Sequence, residues 1–145
     1  MSIRPGIATD IPAIHALLLE FATFQQTPEK LTVTIAQLQA DHELFRCFVV
    51  ENVAGRIVGF ASYFFAYYSW SGKALYLDDL YVQEAFRQQG FGKALLEAVI
   101  EMAKAEQCVK VRWQVSNWNT PAIAFYRAMG ATIDAVELNC DLALR

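Results

Sequence analysis

The sequence predicts a single α/β domain of the α+β type, with a central mixed β-sheet flanked by helices. Runs rich in β-branched and aromatic residues alternate with amphipathic helical patterns. A glycine-rich turn connects the run "KALYLDDLYV" to a helical pattern, and the β-rich run "VKVRWQV" follows that helix. A strand, a crossover helix and a second strand form a parallel unit, so we expect these two runs to be parallel neighbours.

The first forty residues predict one edge strand and two helices. Residues 3–7 alternate between apolar and other side chains, as an edge strand does, and Thr9 or Asp10 then caps a helix. The apolar stripe of this helix comprises Ile11, Ile14, Leu17, Leu18 and Phe21. After the loop "QQTPEKLTV", Thr34 and Gln37 form a capping box that predicts a short second helix.

The remaining elements follow from β-rich runs and glycine stops. The runs "RCFVVEN" and "IVGFASYFFAYY" flank a turn at Gly55 and predict an antiparallel hairpin, and "KALYLDDLYV" follows the turn at Gly72. A helix then extends to about Ala105, and another from about Thr120 ends at Gly130. The alternating segment "ATIDAVELNCDLAL" predicts a final β segment.

Composition limits the classes of function. The chain has 145 residues, enough for one domain over residues 1–145, and its net charge of −3 gives no basic surface for nucleic acid. The first helical stretch contains Asp10, His15 and Glu20, so we expect neither a signal peptide nor a membrane span. Three cysteines without a C-x-x-C pair argue against zinc and disulfides, and no activated thiol is evident. We therefore expect a cytoplasmic protein without a metal.

The stretch "RQQGFGKALLEAVIEMAK" places two glycines at the start of a helix. Free N–H groups and the positive end of the helix dipole attract an anion there, so a bound phosphate is one interpretation. The turn is not a Walker A loop, because Ala94 follows Gly92 and Lys93, and Leu95 occupies the third glycine position of a dinucleotide fingerprint. The alternative is a strand-to-helix turn without a ligand.

Two motifs together indicate a family. The run "LYVQEAFRQQGFGKALL" contains the pattern [RQ]-x-x-G-x-[GA], and "VSNWNTPAIAFYRAMGA" contains N-x-x-[AS]-x-x-[FL]-Y-x-x-x-G. In this order and at this distance, they resemble the GCN5-related N-acetyltransferases (GNAT), acyl-coenzyme A (CoA) dependent transferases. The resemblance covers Ile3 to about Ile133 and implies the GNAT fold.

The resemblance also implies an acetyl-CoA site. In the family, the backbone of this turn binds the CoA pyrophosphate and the preceding strand binds the pantetheine arm. The residues at these positions are Leu80, Tyr81, Val82, Arg87, Gln88, Gln89, Gly90, Phe91, Gly92 and Lys93, with Asn119, Phe125 and Tyr126 from the second motif.

The run "FASYFFAYYSWSGKALYLDDLYV" resembles the spermidine/spermine and thialysine acetyltransferase branch. This implies that Trp70, Asp78 and Asp79 line an amine pocket. Two residues depart from the branch: Asp78 stands where Glu is usual, and Tyr68 stands where polyamine enzymes carry an acid. Trp70, Tyr67 and Tyr68 could form a cation–π wall for an ammonium, and the alternative is that these aromatic residues serve packing.

Acetylation of an amine requires proton transfers. A primary ammonium has a pKa of about 10.4 and must lose a proton before it attacks. Asp78 or Asp79 is the candidate acceptor, and strand alternation directs them to opposite faces unless a bulge intervenes. By resemblance, Tyr126 is the acid that protonates the leaving thiolate. The alternatives are structural carboxylates, a core tyrosine, and a helix cap at Asn119.

We therefore predict an enzyme that transfers acetyl from acetyl-CoA to a primary amine of a small molecule, a diamine, polyamine or lysine-like amine, by direct attack in a ternary complex. The alternatives are a non-catalytic acyl-CoA sensor and an acetyltransferase for a protein or another amine. The loops "QQTPEKLTV" and "AYYSWSG" are expected to determine which amine is used, through Glu29, Tyr67, Tyr68 and Trp70. The branch also implies a homodimer.

Overall fold

The computed structural model describes all residues from Met1 to Arg145, and its strands form one five-stranded sheet in chain order. The strands are β1 (Ser2–Pro5), β2 (Arg46–Glu51), β3 (Ile57–Tyr68), β4 (Gly72–Val82) and β5 (Lys110–Arg112). Neighbours from β1 to β4 pair antiparallel, and β5 pairs parallel to β4. The mixed sheet and the parallel pair are therefore as predicted.

Four α-helices accompany the sheet: α1 (Ile11–Phe24), α2 (Ile35–Ala40), α3 (Phe91–Ala105) and α4 (Thr120–Ala128). The capping box of α2 is confirmed, because Thr34 Oγ1 accepts the Gln37 N–H at 3.1 Å and Gln37 Oε1 accepts the Thr34 N–H at 2.8 Å. Asp10 is the N-cap residue of α1, as predicted, but its side chain forms no hydrogen bond with the first turn of that helix. The Asp10 carboxylate instead accepts the Ile7 N–H at 2.8 Å.

The chain divides into two compact units, Met1–Trp113 and Gln114–Arg145. The core of the first unit includes Ile14 and Leu17 of α1 packed with buried residues of β2, β3 and β4. Helix α3 buries Leu95, Leu96 and Val99, and it packs on β4, β3 and β2. The apolar stripe that the sequence predicts for α1 thus contains the residues that this helix buries.

The second unit contains α4 and a carboxyl-terminal segment. Gly130 adopts a positive φ of 95° and ends this helix, as predicted. The expected final strand is wrong, because residues 131–145 form no strand, and Val136, Leu138, Leu142 and Leu144 are 82–91% exposed. An alternating pattern supplies neither a partner strand nor a surface to cover it, and a strand requires both. Strand β5 is shorter than "VKVRWQV" suggests, because it pairs with β4 only over Lys110–Arg112.

Candidate acetyl-transfer site

A β-bulge separates the two neighbouring acids of β4. Ser62 of β3 pairs with Asp79, whereas Tyr63 pairs with Leu77, so Asp78 has no residue opposite it. The Asp79 N–H donates to Ser62 Oγ at 3.2 Å on one side of the bulge. The bulge that would break the strand alternation is therefore present, and Asp79 is the more buried of the two acids.

Asp79 lines a pocket of about 290 Å³ beside the end of α1. The other residues that line it come from α1 and the following loop: Leu18, Phe21, Ala22, Gln25, Thr27, Lys30 and Leu31. Among these residues, Asp79 is the one acid and Lys30 the one base. The volume of the pocket is close to the lower end of the range for small-molecule sites, about 300–1,000 Å³. The pocket is suited to a small polar molecule with an apolar stem.

The carboxylate of Asp79 lies in this pocket without a cationic partner. None of the ion pairs in the chain includes Asp79. Burial raises its pKa to about 6, and the charge of Asp78 adds to the rise. Partial burial also raises the pKa of Asp78. At neutral pH, Asp79 is thus mostly ionised and poorly solvated, a state that favours an incoming ammonium.

Residues of α1 and β4 contact one another beside this pocket. The rings of Phe21 and Tyr81 stack with centroids 5.1 Å apart. The Tyr81 hydroxyl donates to Glu20 Oε1 at 3.3 Å, and Gln83 Nε2 donates to Glu20 Oε2 at 3.0 Å. These contacts connect the last turns of α1 to the end of β4, the strand that carries Asp79.

Arg87 connects the start of the glycine turn to the same region. Its Nε donates to the Val82 carbonyl at 2.9 Å, and its guanidinium lies 5.0 Å from the centroid of the Phe24 ring and 5.5 Å from that of Tyr81. Arg87 therefore positions the turn against β4 and α1, a structural role that the sequence did not suggest.

The glycine turn presents free N–H groups at the start of α3. Gly90 has a φ of 83° and precedes the first helical residue, Phe91. The N–H groups from Gly90 to Lys93 donate to no acceptor in the chain, as expected for a first helical turn. A Cβ atom at Gly90 would meet nothing within 4 Å, and one at Gly92 would meet only Val82 at 4.0 Å. The turn thus has donors, a favourable dipole and room for an anion.

Within the second unit, the residues of the second motif lie at and on α4. Asn119 caps the helix by accepting the Ala122 N–H at 3.4 Å, so the cap interpretation holds. The rings of Phe125 and Tyr126 meet edge to face with centroids 5.7 Å apart. Burial raises the pKa of Tyr126 above its ordinary value.

Trp70 and Tyr68 lie at the far end of the β3–β4 hairpin. Trp70 is fully exposed, and the Tyr68 ring lies beneath Lys110 and Arg112, at 4.7 and 4.4 Å from its centroid. Tyr68 is six residues beyond Ser62 on β3, which corresponds to about 20 Å of strand. The structure therefore does not bring either aromatic residue together with Asp79 of the same chain.

A family model described as the acetyltransferase (GNAT) family matches residues 11–131. The chain belongs to this family. It is therefore an acetyltransferase, and acetyl-CoA is the co-substrate that the family uses. The predicted family, fold and enzyme class are confirmed.

Two similar proteins are named as an N-acetyltransferase or as acetyltransferase-like. The spermidine/spermine N(1)-acetyltransferase-like protein 1 of Homo sapiens is 35% identical over 139 residues, which are 89% of this chain but 20% of that protein. The thialysine N-epsilon-acetyltransferase of Mus musculus is 30% identical over 140 residues, 89% of this chain and 82% of that protein. The crystal structure of an aminoglycoside acetyltransferase from an uncultured soil metagenomic sample superposes with a TM-score of 0.80 at 22% identity, covering 99% of this chain and 96% of that one. The last likeness concerns the fold alone.

One of the two loops that the sequence suggested for the amine site lines this pocket, and the other does not. The loop "QQTPEKLTV" lines the pocket through Gln25, Thr27, Lys30 and Leu31, whereas Glu29 does not line it. The loop "AYYSWSG" does not line it. Pro28 begins a 3-10 turn over Pro28–Lys30, in which successive side chains point in different directions. This proline is the local signal that could have separated Lys30, which lines the pocket, from Glu29, which does not.

Two further findings concern membranes and metals. None of the helices is both long and apolar enough to cross a membrane. No group of three or more His, Cys, Asp or Glu side chains is arranged to hold a metal ion.

Proposed function

We propose that this acetyltransferase transfers the acetyl group of acetyl-CoA to a primary amine of a small molecule, by direct attack of the amine in a ternary complex. The unpaired, partly buried carboxylate of Asp79 in a small pocket carries this proposal. Uncompensated burial of a carboxylate is costly, and a bound ammonium would offset that cost. The names of the amine acetyltransferases to which the chain is similar support the same substrate class.

The residues of the glycine turn fit the pyrophosphate of acetyl-CoA. The free N–H groups from Gly90 to Lys93 are the donors, and the open space beside Gly90 and Gly92 admits phosphate oxygens. Gln88 and Gln89 precede Gly90 in the turn, and the edge of β4 at Leu80, Tyr81 and Val82 would bind the pantetheine arm. Acetyl-CoA supplies the thioester, and the chain supplies orientation and proton transfer.

Asp79 is the better candidate for the group that receives the proton of the amine. An ammonium with a pKa of about 10.4 binds to the carboxylate first and loses its proton before attack, directly or through a water. Asp78 is more exposed and lies on the unpaired side of the bulge, so we assign it a supporting electrostatic role. Cys47 is not a candidate nucleophile for a covalent route, because burial raises the pKa of its thiol to about 12.

Tyr126 is proposed as the acid that protonates the departing thiolate. Its hydroxyl is protonated at neutral pH, as a proton donor must be, since a tyrosine titrates at about 10 and burial raises the pKa of Tyr126 further. Asn119 and Phe125 are proposed to contact the coenzyme, and Asn119 combines this role with its helix cap.

Release of CoA thiol across a panel of amines tests the proposal. The panel comprises polyamines, diamino acids, other amino acids, aminoglycosides and a lysine-containing peptide. We expect turnover with at least one small primary amine, and loss of it in Asp79→Asn. Tight binding of acetyl-CoA without turnover of any amine would support the non-catalytic sensor instead. Turnover of the peptide alone would indicate a protein acetyltransferase.

We further propose that residues 1–145 act as one domain in a cytoplasmic homodimer. The family match extends across both compact units, which supports a single domain. Trp70 and Tyr68 lie about 20 Å along the strands from Asp79 of their own chain, so in the dimer they would contribute to the partner's amine pocket. Light scattering tests the dimer, and a monomer at working concentration would contradict it.

A further inference from the structure

The pocket beside Asp79 carries opposite charges on separate side chains. Lys30, at the end of the 3-10 turn Pro28–Lys30, lines the same pocket as Asp79. The Lys30 ammonium forms no ion pair with any carboxylate of the chain, and neither does Asp79 with any cation. The two groups therefore share a pocket without contacting each other.

Apolar and neutral polar side chains complete the lining. Leu18, Ala22 and Leu31 are apolar and suit an aliphatic stem. Gln25 and Thr27 offer an amide oxygen and a hydroxyl, which accept hydrogen bonds from an ammonium group without adding charge. The pocket thus has one acid, one base, neutral acceptors and an apolar stretch.

This charge arrangement discriminates between two kinds of amine. A purely cationic diamine is attracted by Asp79 but repelled by Lys30. A molecule with an ammonium at one end and a carboxylate at the other satisfies both groups. For charges some 5 to 8 Å apart near a protein surface, this difference corresponds to about tenfold or more in affinity.

We propose that the pocket selects a zwitterionic substrate, an amino acid whose side chain ends in a primary amine, with Lys30 binding the carboxylate while Asp79 meets the amine that is acetylated. This rests on the proposed function and narrows its substrate class from amines in general to diamino acids. Gln25 and Thr27 accept hydrogen bonds from the α-ammonium group. Lys30 is a specificity residue and takes no part in the acetyl transfer itself.

Matched pairs of amines isolate the contribution of the carboxylate. L-Lysine and cadaverine, L-ornithine and putrescine, and L-2,4-diaminobutyrate and 1,3-diaminopropane differ within each pair only by that group. We expect the wild-type enzyme to favour the amino acid of at least one pair by tenfold or more in kcat/KM. In Lys30→Gln, this preference should fall at least tenfold, mainly through KM, and Lys30→Glu should reverse it. High salt should reduce the wild-type preference, because it screens exposed charges.

Lys104→Gln is the matched control, because Lys104 is an exposed lysine on α3 that pairs with Glu101 on the surface. It should leave the preference unchanged. An equal preference in wild type and Lys30→Gln, or a wild-type preference for the diamines, would overturn the proposal.

A binding measurement separates this proposal from the proposed function. Thermal unfolding with CoA and each amine reports binding without turnover. If no amine is acetylated, the proposed function fails. A larger stabilisation by L-lysine or L-ornithine than by its diamine, lost in Lys30→Gln, would still support a zwitterion pocket. Equal or absent stabilisation would overturn it.

Discussion

Replacing Asp79 by Asn should stabilise this acetyltransferase while it removes activity. The substitution keeps the size of the side chain and removes its charge. Asp79 is partly buried beside Asp78 and has no cationic partner, so the folded state holds an ionised carboxylate at a cost. If Asp79 were needed only for folding, Asp79→Asn would lower the stability and leave the activity of the folded protein unchanged.

The size and sign of the change in stability follow from the linkage between folding and proton binding by Asp79. The pKa of Asp79 is about 6 in the folded protein, against an ordinary value of 3.8. A raised acid pKa means that folding takes up a proton between these values, so stability is lost as pH rises from about 3.8 to 6. The difference of about 2 pKa units corresponds to about 3 kcal/mol above pH 6. Because the side chain retains some solvent contact, we expect about 1–3 kcal/mol.

Thermal unfolding at pH 4 and pH 7.5 measures this difference. Asp79→Asn should raise Tm by about 3–10 °C at pH 7.5 and by much less at pH 4. Its kcat/KM for the amine should fall at least a hundredfold. Asp78→Asn is the control, and its more exposed position predicts a smaller effect on both stability and turnover.

Two results would refute this reasoning. A lower Tm for Asp79→Asn at pH 7.5 would show that the carboxylate stabilises the fold, as a structural cap does. Near-normal turnover in Asp79→Asn with a large loss in Asp78→Asn would transfer the proton-accepting role to Asp78.

Three further predictions concern other parts of the chain. Tyr126→Phe should lower turnover by about ten- to a thousandfold with CoA affinity nearly unchanged, whereas near-normal turnover with a lower Tm would make Tyr126 a core residue. Gly92→Val should raise the KM for acetyl-CoA at least tenfold, while Gly92→Ala, which the motif allows, should change it little; equal constants for both variants would argue against phosphate at the turn. Arg4→Met should destabilise the protein by about 2–4 kcal/mol at neutral pH, because Arg4 binds the buried Asp10 carboxylate through 2.7 and 2.9 Å contacts and holds its pKa below the ordinary value. This loss should shrink as pH falls below about 4, and urea unfolding at pH 7 and pH 3.5 measures it.

Local pattern was sufficient for most of the fold. Periodicity, the capping box at Thr34 and the glycine at position 130 predicted the order of the helices and of β1 to β5. The order strand, crossover helix, strand predicted the parallel pairing of β4 with β5. These signals work because propensity, caps and turns depend on neighbouring residues. The strand predicted at residues 131–145 is absent, because an alternating pattern forms a strand only beside a partner strand. The motifs around Gly90 and Tyr126 predicted the family, because each motif is a short run of residues that can be recognised in the sequence alone.

Only the tertiary structure decided which acid is buried and what lies opposite it. The bulge at Asp78 depends on the register between β3 and β4, which is set along the whole hairpin. The pocket forms because packing of Phe21 on Tyr81 brings the end of α1 and its loop to β4, about fifty residues later in the chain. Lys30 and Asp79 are therefore close in space but unrelated in sequence pattern, and Trp70, close to Asp79 in sequence, is separated from it by the length of the hairpin. Local periodicity contains no information about such distances, because they arise from long-range packing.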